Sequence, residues 1–196
     1  MAAKNKLVMC ALLLTSPSCW AEEEAFSIDH ATVDVTSCQN SPAKERMFAC
    51  HRIERGEGYV VATRRYWPAK RSDDDAFEKV TVVFHSKPRA GDKLDISSQS
   101  VFVFFSAGPS SFPGKHGCYG AAKDGVVEIA SVSESAMRIL VSTTIDLQSP
   151  LGFQGECDQK KAMKREISGR AVRVDDLNAW RGRWDSSVDM WDEARP

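Results

Sequence analysis

The stretch Met137–Leu147, MRILVSTTIDL, decides the fold class. Met137, Ile139, Val141, Thr143, Ile145 and Leu147 recur at every second position, with Arg138, Ser142, Thr144 and Asp146 between them. A period of two places the apolar set on one face of an extended strand and the polar set on the other, the pattern of a half-buried sheet. Lys79–His85 (KVTVVFH) repeats the pattern with Val80, Val82 and Phe84 inward. Val101–Phe105 (VFVFF) is apolar on both faces and predicts a central strand covered on both sides.

Working outward, further strands are expected at 27–36, 46–53, 59–66, 93–96, 125–132 and 166–174. In the last of these, Ile167 and the pair Val172/Val174 fall on opposite parities, and the intervening Gly169 suggests a bulge that re-registers the strand. Arg55-Gly56-Glu57-Gly58, Pro88–Asp92 and Lys123-Asp124-Gly125 read as turns. The expected fold is mostly β: one antiparallel β-sandwich or small barrel of about nine short strands.

The tail has a different period. From Asp175 on, Leu177, Trp180, Trp184, Val188 and Trp191 step by three and four, within an arc of roughly 80° at about 100° per residue. A short C-terminal helical tail over 175–196 is therefore expected, packed on the β domain or extending from it. Gly182 and Asp185-Ser186-Ser187 argue for two short turns as much as for one straight helix.

At the other end, Lys4 and Lys6 precede the apolar run Leu7–Leu14, and Cys19 and Ala21 place small side chains before a cleavage point at Glu22. That order is expected of a cleaved secretory signal over 1–21. The run is too short to span a bilayer, which needs about 20 residues. A bacterial periplasmic location is the expected destination, with a lipid on Cys19 as the lesser alternative. Residues 22–174 then form one β domain.

Without the signal, four cysteines remain: Cys38, Cys50, Cys118 and Cys157. An even count in an exported chain points to two disulfides, and Cys38–Cys50 with Cys118–Cys157 is the favoured pairing of the three that exist. The expected mature domain has no metal ligand set and no cofactor: there is no CxxC pair, and His30, His51, His85 and His116 are scattered. The 24 basic and 27 acidic residues left after Lys4 and Lys6 are removed are mixed along the chain, which predicts no nucleic-acid partner. No second apolar run predicts a transmembrane segment.

Enzyme templates do not fit. The sequence has no GxSxG elbow, no HExxH and no phosphate-cradling glycine loop. Asp73-Asp74-Asp75 lacks the alternating spacing of a calcium loop and reads as solvated. The segment Ser106–Asp124 (SAGPSSFPGKHGCYGAAKD) stands out instead as a long loop after the most apolar strand. Its Phe112, Lys115, His116 and Tyr119 would offer an aromatic and cationic surface to a partner protein, with Cys118 restricting its motion.

The leading expectation is an exported, non-enzymatic binding protein of inhibitor or immunity type acting through 106–124. A structural or assembly factor of the envelope, docking through Trp180, Trp184 and Trp191, is the alternative. A small-ligand carrier or a hydrolase is the third.

Overall fold

The computed structural model describes residues 22–34, 52–67, 76–109, 118–147 and 160–172. They form strands β1 (Glu22–Asp34), β2 (Arg52–Trp67), β3 (Ala76–Phe84), β4 (Lys93–Asp95), β5 (Val101–Pro109), β6 (Cys118–Val132), β7 (Ala136–Asp146) and β8 (Lys160–Val172), with a 3₁₀ turn at Ile96–Ser98. The fold is mostly β, in one eight-stranded sheet ordered β4-β6-β5-β3-β2-β1-β8-β7. The additional β6–β7 pairing joins the last strand back to the second, so β1, β2, β3, β5, β6, β7 and β8 run as a hydrogen-bonded ring. Closing the ring reduces the open edge that a flat sheet would present, although among the described residues β4 pairs on one side only and the β1–β8 junction is three residue pairs long. The described residues hold eight strands, against about nine expected over the whole chain; of the expected strand at 46–53, only Arg52 and Ile53 are described, as the start of β2.

Six junctions of the ring are antiparallel. The seventh departs from the expected all-antiparallel sheet: β1 and β8 pair in parallel through Phe26–Arg170, Ser27–Ala171 and Ile28–Val172. The parity change along β8 needs no bulge. Its ladder with β7 is regular from Lys160 to Arg170; Ile167 faces the lumen, and Val172 packs on the outer face against a second apolar cluster. Gly169 is required by close approach, since a Cβ there would lie 2.7 Å from the Phe26 carbonyl carbon.

Two expected turns are bends inside long strands. Asp29 pairs with Tyr59, but Ala31 pairs with Arg55, so Gly56-Glu57-Gly58 is accommodated as an irregularity within β2 opposite His30, at φ 54°. Lys123-Asp124-Gly125 sits at a register shift inside β6, with Gly125 at φ +115° and its α-carbon too close to the Ser142 carbonyl for any side chain. The Thr143 hydroxyl donates to the Asp124 carbonyl at this bulge. Such bulges let one strand curl and serve several neighbours. β6 uses its first residues on β5, its later residues on β4, and nearly its whole length on β7. Pro88–Asp92 holds as a turn: the Asp92 carboxylate accepts from the Arg89 amide at 2.7 Å, and Gly91 has φ +88°.

The lumen is filled by the inward set of the alternation. Tyr59, Val61, Val80, Val82, Phe84, Val101, Val103, Phe105, Val127, Ile129, Met137, Ile139, Val141, Ile145, Met163 and Ile167 form one buried cluster. A ring this small has room for side chains and little else. Phe102, expected to be covered, points outward and remains 37% exposed, stacked on the half-buried Phe104. Among the described residues, no helix is long and apolar enough to cross a membrane. The expected signal over 1–21 and tail over 175–196 lie outside the described residues.

Candidate functional site

Registers fix which connections share an end of the ring. Glu22 lies opposite Tyr66, Trp67 opposite Ala76, Ala76 opposite Pro109, Ala107 opposite Cys118, and Asp146 opposite Lys160. The start of β1 and the strand ends flanking 68–75, 110–117 and 148–159 therefore all lie at one end. The other end carries the strand ends Asp34 and Arg52 that flank 35–51, the turn before β4 and the tight β6–β7 turn at Ser133–Ser135.

At the first end the lumen changes from apolar to charged. Glu23 on β1, Thr63 and Arg65 on β2, Glu78 on β3, and Lys161 and Arg165 on β8 occupy inward positions, since each alternates with the lumen cluster or lies opposite it. Arg165 binds across the lumen. One guanidinium nitrogen donates to Glu78 at 2.6 Å and another to Glu23 at 2.8 Å. The second oxygen of Glu78 accepts from Lys161 Nζ at 2.7 Å. Glu23 also accepts from Arg65 at 2.7 and 3.1 Å and from the Thr63 hydroxyl at 3.1 Å. Lys161 Nζ stands 4.1 Å from the centre of the Phe105 ring, a cation–π contact that continues the apolar core.

This network joins strands that are not neighbours in the sheet, β8 with β3, and so ties opposite walls of the ring. Arg165 is 9% exposed and Glu78 16%, whereas Glu23, Arg65 and Lys161 are about a third open. Burial raises the carboxyl pKa of Glu23, but the hydrogen bonds and charges of Arg65 and Arg165 outweigh it and hold the group below its ordinary value. Each carboxylate is gripped by two cations. A general acid needs a carboxyl in apolar surroundings, and a general base needs one open to a substrate; neither describes Glu23 or Glu78. Among the described residues, three cations meet two carboxylates in this network. The Nε–H of Arg165 has no hydrogen-bond partner among the described residues.

Of the partner-binding candidates, Tyr119 alone falls within a described strand, β6. The expected loop Ser106–Asp124 is shorter than its sequence suggested: β5 continues to Pro109 and β6 begins at Cys118. Cys118 lies opposite Ala107 and Tyr119 opposite Ser106. Gly108 and Pro109 pair with Phe77 and Ala76 of β3, and Gly120 with Phe105, so these residues lie inside strands. Phe112, Lys115 and His116 fall in 110–117, outside the described residues, as do Cys38, Cys50, Cys157, Trp180, Trp184 and Trp191. Cys118 is disulfide-bonded, and every other cysteine of the chain lies outside the described residues.

Sequence reasoning missed the charged network. Its signal was present in part: Arg165 interrupts the inward alternation Met163, Ile167, and Thr63 and Arg65 continue the inward parity of Tyr59 and Val61 with polar groups. A charge at an inward parity must find a partner across the lumen, and the partner's identity depends on ring closure.

A shallow open depression of about 450 Å³ lies elsewhere, beside β4, β6, β7 and β8. Its charges are paired on the surface, Lys93 with Glu128 at 2.8 Å and Arg138 with Glu166 at 3.6 Å. Among the described residues, no group of three or more His, Cys, Asp or Glu side chains is placed to hold a metal ion. No protein-family model, curated protein or solved structure matches the chain, so its role rests on its own residues.

Proposed function

We propose that the protein is an exported, non-enzymatic binding protein of inhibitor or immunity type, which engages another protein through the end of the ring that carries segment 106–124. The observation that supports this most is that the strand ends flanking 68–75, 110–117 and 148–159 gather at one end of the ring. Connections carried by a rigid scaffold are where binding residues concentrate, and a rigid base lowers the ordering cost of association. Phe112, Lys115, His116 and Tyr119 supply the large and charged anchors that such an interface needs.

The topology also favours the proposed disulfides. Cys38 and Cys50 both belong to the 35–51 connection at one end, while Cys118 and the 148–159 connection with Cys157 belong to the other. A cystine requires α-carbons within about 7 Å, and β7 alone is 11 residues long, or roughly 35 Å of strand. Pairing within each end is thus the economical solution, and Cys118–Cys157 would brace the proposed binding end.

The test is capture of a partner by the mature protein, followed by alanine at Phe112, Lys115, His116 and Tyr119 with Cys118 retained. The expected result is binding weakened tenfold or more with thermal stability nearly unchanged. A large loss of stability with binding intact would assign the segment a structural role and end the inhibitor reading.

A further inference from the structure

The sheet has a second apolar face. Phe26, Ile28 and Ala31 of β1, Val60 and Ala62 of β2, and Val83 of β3 point away from the lumen and cluster together. Val33, Ile53, Phe104 and Val172 pack at their margin. Ile28, Ala31, Val60 and Ala62 are fully buried, as completely as the lumen itself. On the bare face of a single sheet, valine and isoleucine touch only neighbours in their own layer and keep much of their surface in water. Every described strand belongs to that one sheet, so the covering layer comes from chain outside the described residues.

We infer that this layer is the C-terminal segment 173–196, laid across β1, β2 and β3 by Leu177, Trp180, Trp184, Val188 and Trp191. Continuity is the first ground. Val172, the last described residue of β8, stands on this face, level with Ile28 and packed against the cluster, so the chain enters 173 at the margin of the uncovered area. Composition is the second. The tail offers apolar residues spaced by three and four on one narrow stripe, the footprint of a helical turn on a flat apolar surface. The competing connection 35–51 (VTSCQNSPAKERMFACH) joins the face near Val33 and Ile53, but it is mostly polar and has no such stripe.

Charge agrees. Arg170, exposed and placed over the Phe26 ring, is a cation at the margin of the face, whereas Arg64 is buried and already matched by Glu24 at 3.2 Å. The tail carries an excess of acids, with Asp175, Asp176, Asp185, Asp189, Asp192 and Glu193. The tryptophan stripe is then a core layer of this chain, on a surface distinct from the proposed binding end.

Replacing Phe104 by p-benzoylphenylalanine in the full chain puts a photo-crosslinker at the margin of this face, aromatic for aromatic. Irradiation and peptide mapping are expected to join residue 104 to a peptide within 173–196. A crosslink to 35–51, to another segment or to a second copy, with none to the tail, overturns the assignment. Quencher access supplies a second measurement free of the bulky group. With Trp20 and Trp67 replaced by phenylalanine, acrylamide is expected to quench the remaining tryptophans several-fold less in the native than in the unfolded chain. Equal quenching in both states also overturns it. Neither readout depends on a partner, so failure here leaves the binding proposal standing, and the reverse holds.

Discussion

The two halves of the lumen solve the same packing problem with opposite chemistry. Toward the β6–β7 turn, Ile129, Met137, Ile139 and Val141 fill the ring with aliphatic groups, each contributing through burial alone. Toward the converging connections, the same inward positions carry Glu23, Arg65, Glu78, Lys161 and Arg165. An aliphatic layer is indifferent to which neighbour it touches. A charged layer is satisfied in one arrangement only, because each carboxylate must meet its cations across the lumen. The comparison teaches that stability is concentrated in the first half and register across the ring in the second.

Substitutions can break the contrast at each half. The largest effect is expected from Ile139→Ala. Its side chain is fully buried and cannot be replaced by water, so unfolding free energy should fall by about 2–5 kcal/mol, read as a lower denaturant midpoint with unchanged slope. Arg165→Met comes next. It keeps the volume but leaves Glu78 with Lys161 and Glu23 with Arg65 and Thr63. Removal of one partner from a buried pair costs about 3–5 kcal/mol, and the remaining partners and the partial exposure of Glu78 and Glu23 lower the expected loss to about 2 kcal/mol. Combining Arg165→Met with Glu78→Gln should recover part of that loss, a coupling that independent sites would not show.

The smallest effect concerns acid. Glu23 has a folded pKa below its ordinary value, so its contribution is present at neutral pH and is lost as the pH falls through the carboxylate range. Glu23→Gln should lower stability at pH 7 modestly and flatten its decline between about pH 5 and pH 3. An unchanged acid profile would show that Glu23 adds nothing to the pH dependence, and would reduce the contrast between the halves to Arg165 and Glu78.

Much of the fold was legible because the period of two is a local signal. Residues 137–147 and 79–85 read as half-buried strands from their own alternation, and both are strands with those residues inward. Gly56 and Gly58, and Lys123 to Gly125, misled because glycine marks both turns and bulges; only the continuing partner strand distinguishes them. Ser106–Asp124 misled for a related reason, since Gly108 and Pro109 lie within β5, paired with β3, and Gly120 lies within β6, paired with β5. The parity change between Ile167 and Val172 was real in the sequence, but its cause was a second apolar face, which no single strand displays.

The sequence by itself determined that this chain builds a β domain, because alternation dictates which side chains seek shelter whatever the neighbours are. It determined the even cysteine count and the separate period of the tail as well. Only the tertiary structure decided that the strands close into a ring, that β8 joins β1 in parallel, and that Arg165 reaches Glu78 and Glu23. The physical reason is range. A strand's hydrophobic face is written in residues two apart, whereas ring closure and a buried ion network depend on residues separated by 87 and 142 positions, which meet only once the whole sheet has formed.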